Sequence, residues 1–158
     1  MEKWGILAVF FGLMAALSLW LVISLHSPIV MGEFGIVLTR DGTTVVNDAD
    51  IANYNATSHM LTLTSDSAER IRGMKPYLVG PFTISVNGEE ALSGIFVPPI
   101  TSRSYPSTQI VITYPTFDSN YRVMKIQMGY PWDEPVTPDP RDNPRITQYF
   151  GVTGRLIH

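Results

Sequence analysis

The sequence predicts an α+β protein, with an N-terminal transmembrane helix followed by a mostly antiparallel β domain that holds one short helix. Three observations predict it. Trp4 to Leu25, WGILAVFFGLMAALSLWLVISL, runs 22 residues without a charge. Two-residue turn signals, Asp41-Gly42 and Asn87-Gly88, each join stretches of strand-like composition. Beyond the span, one capped segment shows helical spacing, with Ala68, Ile71, Met74 and Leu78 on one face.

The span comes first. As a helix rising ~1.5 Å per residue, the run reaches about 33 Å, enough to cross a hydrocarbon core of about 30 Å. A cleavable signal peptide has a shorter apolar region and a small-residue cleavage site, whereas here Pro28 follows Ser27 and spoils the site. A pilin-type leader would place an acidic residue after Gly5, and the span has none. Residues 1–27 are therefore expected to be a tail and retained anchor, with residues 28–158 as an extracytoplasmic domain. Lys3 and the free amino group lie on the short side, and the first basic residue beyond the span is Arg40, so the N-terminus is expected in the cytoplasm. Asn55-Ala56-Thr57 is an N-glycosylation acceptor pattern on the outer side, which marks Asn55 as a candidate. Ala8, Gly12 and Ala16 recur every four residues and would let a second helix approach closely, although Gly and Ala are also frequent in membrane helices.

Along the domain, Phe34–Thr39 and Thr43–Asn47 read as strands about the Asp41-Gly42 turn. The polar stretch Asp48–Ser58 reads as loop or short helical turn, and Met60–Leu63 as a strand. Asp66 is placed to cap the helix, with Glu69 three residues on; Gly73 and Pro76 end it near Lys75. Phe82, Ile84 and Val86 alternate with polar residues, Asn87-Gly88 turns the chain, and Glu89–Val97 returns until Pro98-Pro99 stops it. The loop Thr101–Pro106 leads into a strand at Gln109–Tyr114, and Tyr121–Tyr130 alternates again. Residues 130–144 carry five prolines and four acidic groups, so they form a surface loop and not a central strand. Ile146–Val152 reads as a last strand.

Composition narrows the function. Net charge is −3 with no basic run, which argues against a nucleic-acid partner. The chain has no cysteine, so disulfides, thiol catalysis and thiolate metal sites are excluded.

A family resemblance rests on Asp50-Ile51, on Leu61-Thr62-Leu63-Thr64 leading into Ala68-Glu69-Arg70-Ile71, and on Pro81-Phe82-Thr83-Ile84-Ser85-Val86-Asn87-Gly88-Glu89 with the strand that follows. These residues resemble the head module in the first extracytoplasmic domain of SecD, an accessory membrane protein of protein export. They also resemble uncharacterised, largely prokaryotic single-span proteins carrying a similar module. The likeness covers roughly Asp48 to Ile112, under half of the chain. It implies a fold and contact with an exported or surface polypeptide. Proton-driven transport is not implied, because SecD-type proteins use a bundle of membrane helices and the one span here has no ionisable residue.

Chemistry-bearing patterns are sparse. Ser102 and Ser104 sit in a loop without a Gly-x-Ser-x-Gly elbow, and the nearest histidine in sequence, His59, is distant. Turn hydroxyls bonding the backbone explain them more simply, with Tyr105 packing beneath. Asp48, Asp50 and His59 match no calcium or zinc spacing; the aspartates read as turn residues and His59 as a partly exposed side chain. Glu89 and Glu90 follow a turn and are expected to face water. Trp132, set among prolines, either offers a rigid apolar element to a partner or packs back on its own domain. The candidate partner contacts are Trp132, Tyr130, Tyr105 and Arg103.

The expected function is a non-catalytic, membrane-anchored extracytoplasmic binding module that contacts an exported or envelope polypeptide or a membrane complex. The alternatives are a structural subunit of a surface assembly and a hydrolase using the Ser102 loop. Membrane lipid and another protein are the expected partners, and no cofactor or metal is expected.

Overall fold

The computed structural model describes residues 33–74, 78–114 and 121–158. All belong to one compact unit, Gly32–His158. The expected span, with Ala8, Gly12 and Ala16, lies outside the described residues. Among the described residues no helix is long and apolar enough to cross a membrane.

The unit is α+β. Its strands are β1 (Phe34–Leu38), β2 (Thr44–Asn47), β3 (Ile51–Asn55), β4 (Met60–Leu63), β5 (Gly80–Val86), β6 (Glu89–Val97), β7 (Tyr105–Thr113), β8 (Val123–Tyr130) and β9 (Leu156–Ile157). Two helices, α1 (Ser65–Gly73) and α2 (Pro144–Val152), complete it. The strands form one sheet in the order β2-β1-β5-β6-β7-β8-β4-β3-β9. Pairing is antiparallel except between β6 and β7 and between β3 and β9.

The sheet must curl. β2 and β3 stand seven places apart in the order, which in a flat sheet would separate them by about 34 Å. Only the 3-10 turn Asp48–Asp50 joins them, and it can span no more than about 15 Å. Arg155, just before β9, closes this seam by donating to the carbonyls of Asp48 and Ile51 at 2.8 and 3.2 Å and by pairing with the Asp48 carboxylate. The hydroxyl of Tyr149 reaches the same carboxylate.

Alternation along the strands fills the enclosed face with Phe34, Ile36, Leu61, Phe82, Ile84, Phe96, Ile112 and Ile126. Both helices cover this face, α1 through Ala68 and Ile71 and α2 through Ile146, Tyr149 and Phe150. Phe150 lies between Phe34 and Tyr54, with ring centroids 5.1 and 5.2 Å away.

Several expectations need correction. Ile146–Val152 is a helix and not a strand. Asn143 caps it by accepting from the Arg145 amide at 2.9 Å, Pro144 occupies its first turn, and the three buried side chains fall at helical spacing. Helix α1 is capped by Thr64, whose hydroxyl accepts from Ser67, and not by Asp66. Residues 51–55 within the supposed polar loop form β3, because Ile51 and Tyr54 are buried. The Asn47–Asp50 capping box launches that strand. Strand β7 begins at Tyr105, four residues earlier than the alternation suggested. The parallel pairing of β6 with β7 requires a crossover, and Pro98–Ser104 supplies it without a helix. The Asn87-Gly88 turn holds as expected, with φ of 58° and 79°, the pairing of signs that a tight hairpin turn needs. Asp41-Gly42 is not a two-residue turn: Gly42 has positive φ and Asp41 does not, and the chain reverses over Thr39–Gly42, closed by the Leu38 amide donating to the Thr43 carbonyl at 2.9 Å.

Candidate functional site

Strand β8 is longer than its neighbour β4, which begins opposite Lys125. On that edge the Ile126 amide still donates to the His59 carbonyl at 3.0 Å; beyond it the edge would lack a partner, and the proline-rich loop supplies one. The Met128 amide donates to Asp133 Oδ1 at 2.8 Å, and the Glu134 amide donates to the Met128 carbonyl at 3.1 Å. This reversal leaves Pro131 and Trp132 at its tip. Trp132 is 74 % exposed, so the reading in which its indole packs back on the domain is overturned.

The tip is held from behind. Arg141 is 6 % exposed, in a loop whose other residues are half-buried or exposed. Its guanidinium donates to both carboxylate oxygens of Asp139, to Asp133 at 2.9 Å and to the Ile126 carbonyl at 3.2 Å. Lys125 Nζ sits 2.9 Å from the other Asp133 oxygen. The Arg141 hydrogen bonds hold the Asp139 carboxyl below its usual range despite burial. Burial pushes Asp133 up, but its bonds to Lys125 and the Met128 amide and the Arg141 charge bring it down further. This fully bonded ion cluster makes the loop rigid, and a rigid aromatic loses little freedom on binding.

The loop also lies against the turn between β3 and β4. His59, in the turn between them, is 7 % exposed and therefore buried, contrary to expectation. Its Nδ1 lies 3.1 Å from the Tyr54 hydroxyl, and its Nε2 lies 3.7 and 3.8 Å from the carboxylates of Asp139 and Asp142. Burial and the Arg141 charge lower the His59 pKa against the pull of the carboxylates. Burial, and then the Asp142 charge, raise Tyr54 to about 12, so its hydroxyl keeps its proton.

The other candidate contacts gather beside the tip. Tyr105 pairs with Tyr130 across β7 and β8, and the Tyr130 hydroxyl donates to the Pro99 carbonyl at 2.7 Å. Ile100 follows at 82 % exposure, and Arg103 is exposed on the same crossover. Four residues singled out from sequence thus belong to one corner. Ile100 was missed; the signal was an apolar residue stranded between a Pro-Pro stop and a polar loop, where no core can reach it.

The remaining candidates are dispersed. Asp48 binds Arg155, and Asp50 binds Ser67 and Arg70 at 2.7 and 2.6 Å, so neither aspartate shares a site with His59. Among the described residues no group of acidic and histidine side chains is arranged to hold a metal. Ser102 and Ser104 are exposed, and His59 is turned to Tyr54. Asn55 is half-buried in β3, where its side-chain oxygen accepts from the Ser58 amide at 2.7 Å and shapes the turn. Glu89 pairs with Arg145 on the surface. A polar cleft of about 370 Å³ beside α1 is lined by Ser65, Glu69, Arg72, Tyr121 and Arg122. Arg122 there donates to the Leu63 carbonyl and Arg72 lies over the Tyr121 ring.

Comparison with protein-family models, curated sequences and solved structures finds no match. The corner is therefore interpreted from its own chemistry.

Proposed function

We propose that this chain is a membrane-anchored extracytoplasmic binding module, without catalysis, that contacts an exported or envelope polypeptide through the corner of Trp132, Tyr130, Tyr105, Ile100 and Arg103. The observation that carries the reading is an indole exposed to water at the tip of a loop held by an ion cluster around the buried Arg141. An exposed aromatic on a rigid base, ringed by tyrosines and an arginine, has the composition of a binding hot spot. The resemblance to the SecD head module supports the same class of partner, and the charge-free run at Trp4–Leu25 supports an anchor with the N-terminus in the cytoplasm.

Site-specific photocrosslinking in intact membranes tests it. A photoreactive residue at position 132 or 100 should give discrete polypeptide adducts. The same group at Asp66, in the first turn of α1 beside the start of β8 and so away from the corner at its end, should not. Trp132→Ala should weaken the contact by about 2 kcal/mol. Because Trp132 is exposed, melting should move by less than about 0.5 kcal/mol equivalent. Equal adducts at all three positions, or a loss of stability without loss of contact, would reject the corner.

A further inference from the structure

The two most exposed apolar side chains of the corner sit on different segments. Ile100, 82 % exposed, is carried by the crossover Pro98–Ser104, and Trp132, 74 % exposed, by the tip after β8. Among the described residues the crossover makes a single hydrogen bond to another element, the Tyr130 hydroxyl donating to the Pro99 carbonyl at 2.7 Å. The Arg103 amide stays within the crossover and donates to Thr101 Oγ1 at 3.2 Å. Pro98 and Pro99 have no N–H to offer, so carbonyls are what that stretch can bond through. The Pro99 carbonyl shares a planar peptide unit with the Ile100 nitrogen, so holding it fixes the direction in which Ile100 leaves. Tyr130 stands two residues before Trp132 and is itself held by pairing with Tyr105.

Resting on the reading of the corner as the contact surface, we propose that the Tyr130 hydroxyl is a positioning group for that surface. It sets the spacing of Ile100 and Trp132, so that one apolar segment of the exported polypeptide bridges both. Tyr130 is half-buried and its hydroxyl proton is given to Pro99, so the hydroxyl acts on the partner through the crossover and not by touching it. The side of the corner that carries Trp132 is already fixed, since Asp133 next to the indole is held by Arg141 and Lys125. The side that carries Ile100 has no such ion cluster and depends on the one bond. With the bond made, both side chains are spaced before the partner arrives. Without it, the crossover must be ordered at the moment of binding, and affinity falls by that cost.

Two readouts on the full chain test it. The chain has no cysteine, so Ile100→Cys takes a single dansyl-type acceptor, and Trp4→Phe with Trp20→Phe leaves Trp132 as the sole donor. Time-resolved energy transfer in lipid nanodiscs should give one narrow distance in this parent. Tyr130→Phe keeps the ring and loses the bond. It should broaden the distance distribution while melting stays within about 5 °C, the effect of one hydrogen bond. Replacing Tyr130 by 4-aminophenylalanine returns a donor and should restore the narrow distance. In intact membranes, adducts from a photoreactive residue at position 100 should fall roughly 3- to 10-fold in Tyr130→Phe. An unchanged distance distribution in Tyr130→Phe, no recovery with 4-aminophenylalanine, or undiminished adducts at position 100 would overturn the positioning role and leave the contact surface standing. A parent without adducts at position 100 or 132 would reject the surface, and this role with it.

Discussion

Replacing Gly94 with alanine should damage the module more than any other single added methyl at a described glycine. Gly94 lies where β6 passes from Phe82 on β5 to the parallel contact with β7. A Cβ built there would stand 2.5 Å from the Ile110 carbonyl oxygen and 2.7 and 2.9 Å from two ring carbons of Phe82. The oxygen is backbone and cannot swing away. The ring is fully buried and packs on Phe96 with centroids 5.0 Å apart, so its escape would cost that contact. Overpacking of this kind costs about 1–3 kcal/mol, and a backbone obstacle puts Gly94→Ala at the upper end. At roughly 4 °C per kcal/mol for a domain of this size, melting should fall by about 10 °C. Gly73→Ala is the matched control: nothing lies within 4 Å of its added methyl, and in the last turn of α1 alanine should stabilise by about 0.5 kcal/mol. Differential scanning calorimetry of both variants decides the matter. Gly94→Ala melting within about 2 °C of the parent would show that the close approach of β6 to β7 has been misread.

Other expectations follow from the same packing. Gly88→Val places a β-branched residue at φ of 79° and should cost about 1 kcal/mol or more in urea denaturation. Asp50 accepts from the Asn47 amide, Ser67 and Arg70, which outweigh its burial and hold its carboxyl below the usual range. Its contribution is present above the ordinary carboxylate value and fades as the pH falls through it. Asp50→Asn should therefore cost about 1–3 kcal/mol near neutrality and flatten the acid limb of the stability profile. In the expected span, Gly12→Leu should leave membrane insertion intact and reduce helix association in a crosslinking assay.

The Asn87-Gly88 hairpin was legible because turn chemistry is local and needs no distant residue, whereas Asp41-Gly42 marked the place of a reversal but not its length, since Thr39 and Arg40 join the loop. Helix α2 was equally local, with Asn143-Pro144 as its start, but the apolar run Ile146 to Val152 suits a strand as well as a short helix. Strand β3 was hidden for the opposite reason. Its residues are half polar, and their pairing is decided by β4 and β9, far along the chain. The candidate corner was legible only as residue types: an indole among prolines suits a partner contact or packing on its own domain, and local sequence does not choose between them. That the corner is rigid was not, because Arg141 looks like any loop arginine until Asp133, Asp139 and the Ile126 carbonyl converge on it. The burial of His59 likewise depends on the loop folding back from eighty residues away, as its contact with Asp139 shows.

The three-residue seam between β2 and β3 bears on how the module is made. A ribosome or translocation channel delivers Phe34 early and Phe150 late, yet those rings share one core contact. The β1–β2 and β5–β6 hairpins can form as they emerge, since their partners are neighbours in sequence. The curl cannot close until Arg155 reaches Asp48 across 107 positions. Until then the inner faces of the early hairpins stay open, and apolar rings such as Phe34 and Phe82 are exposed to any passing chain. Folding should therefore be slow to complete and dependent on its last-made elements. During that interval the unfinished sheet presents the kind of open apolar face that a holding chaperone covers.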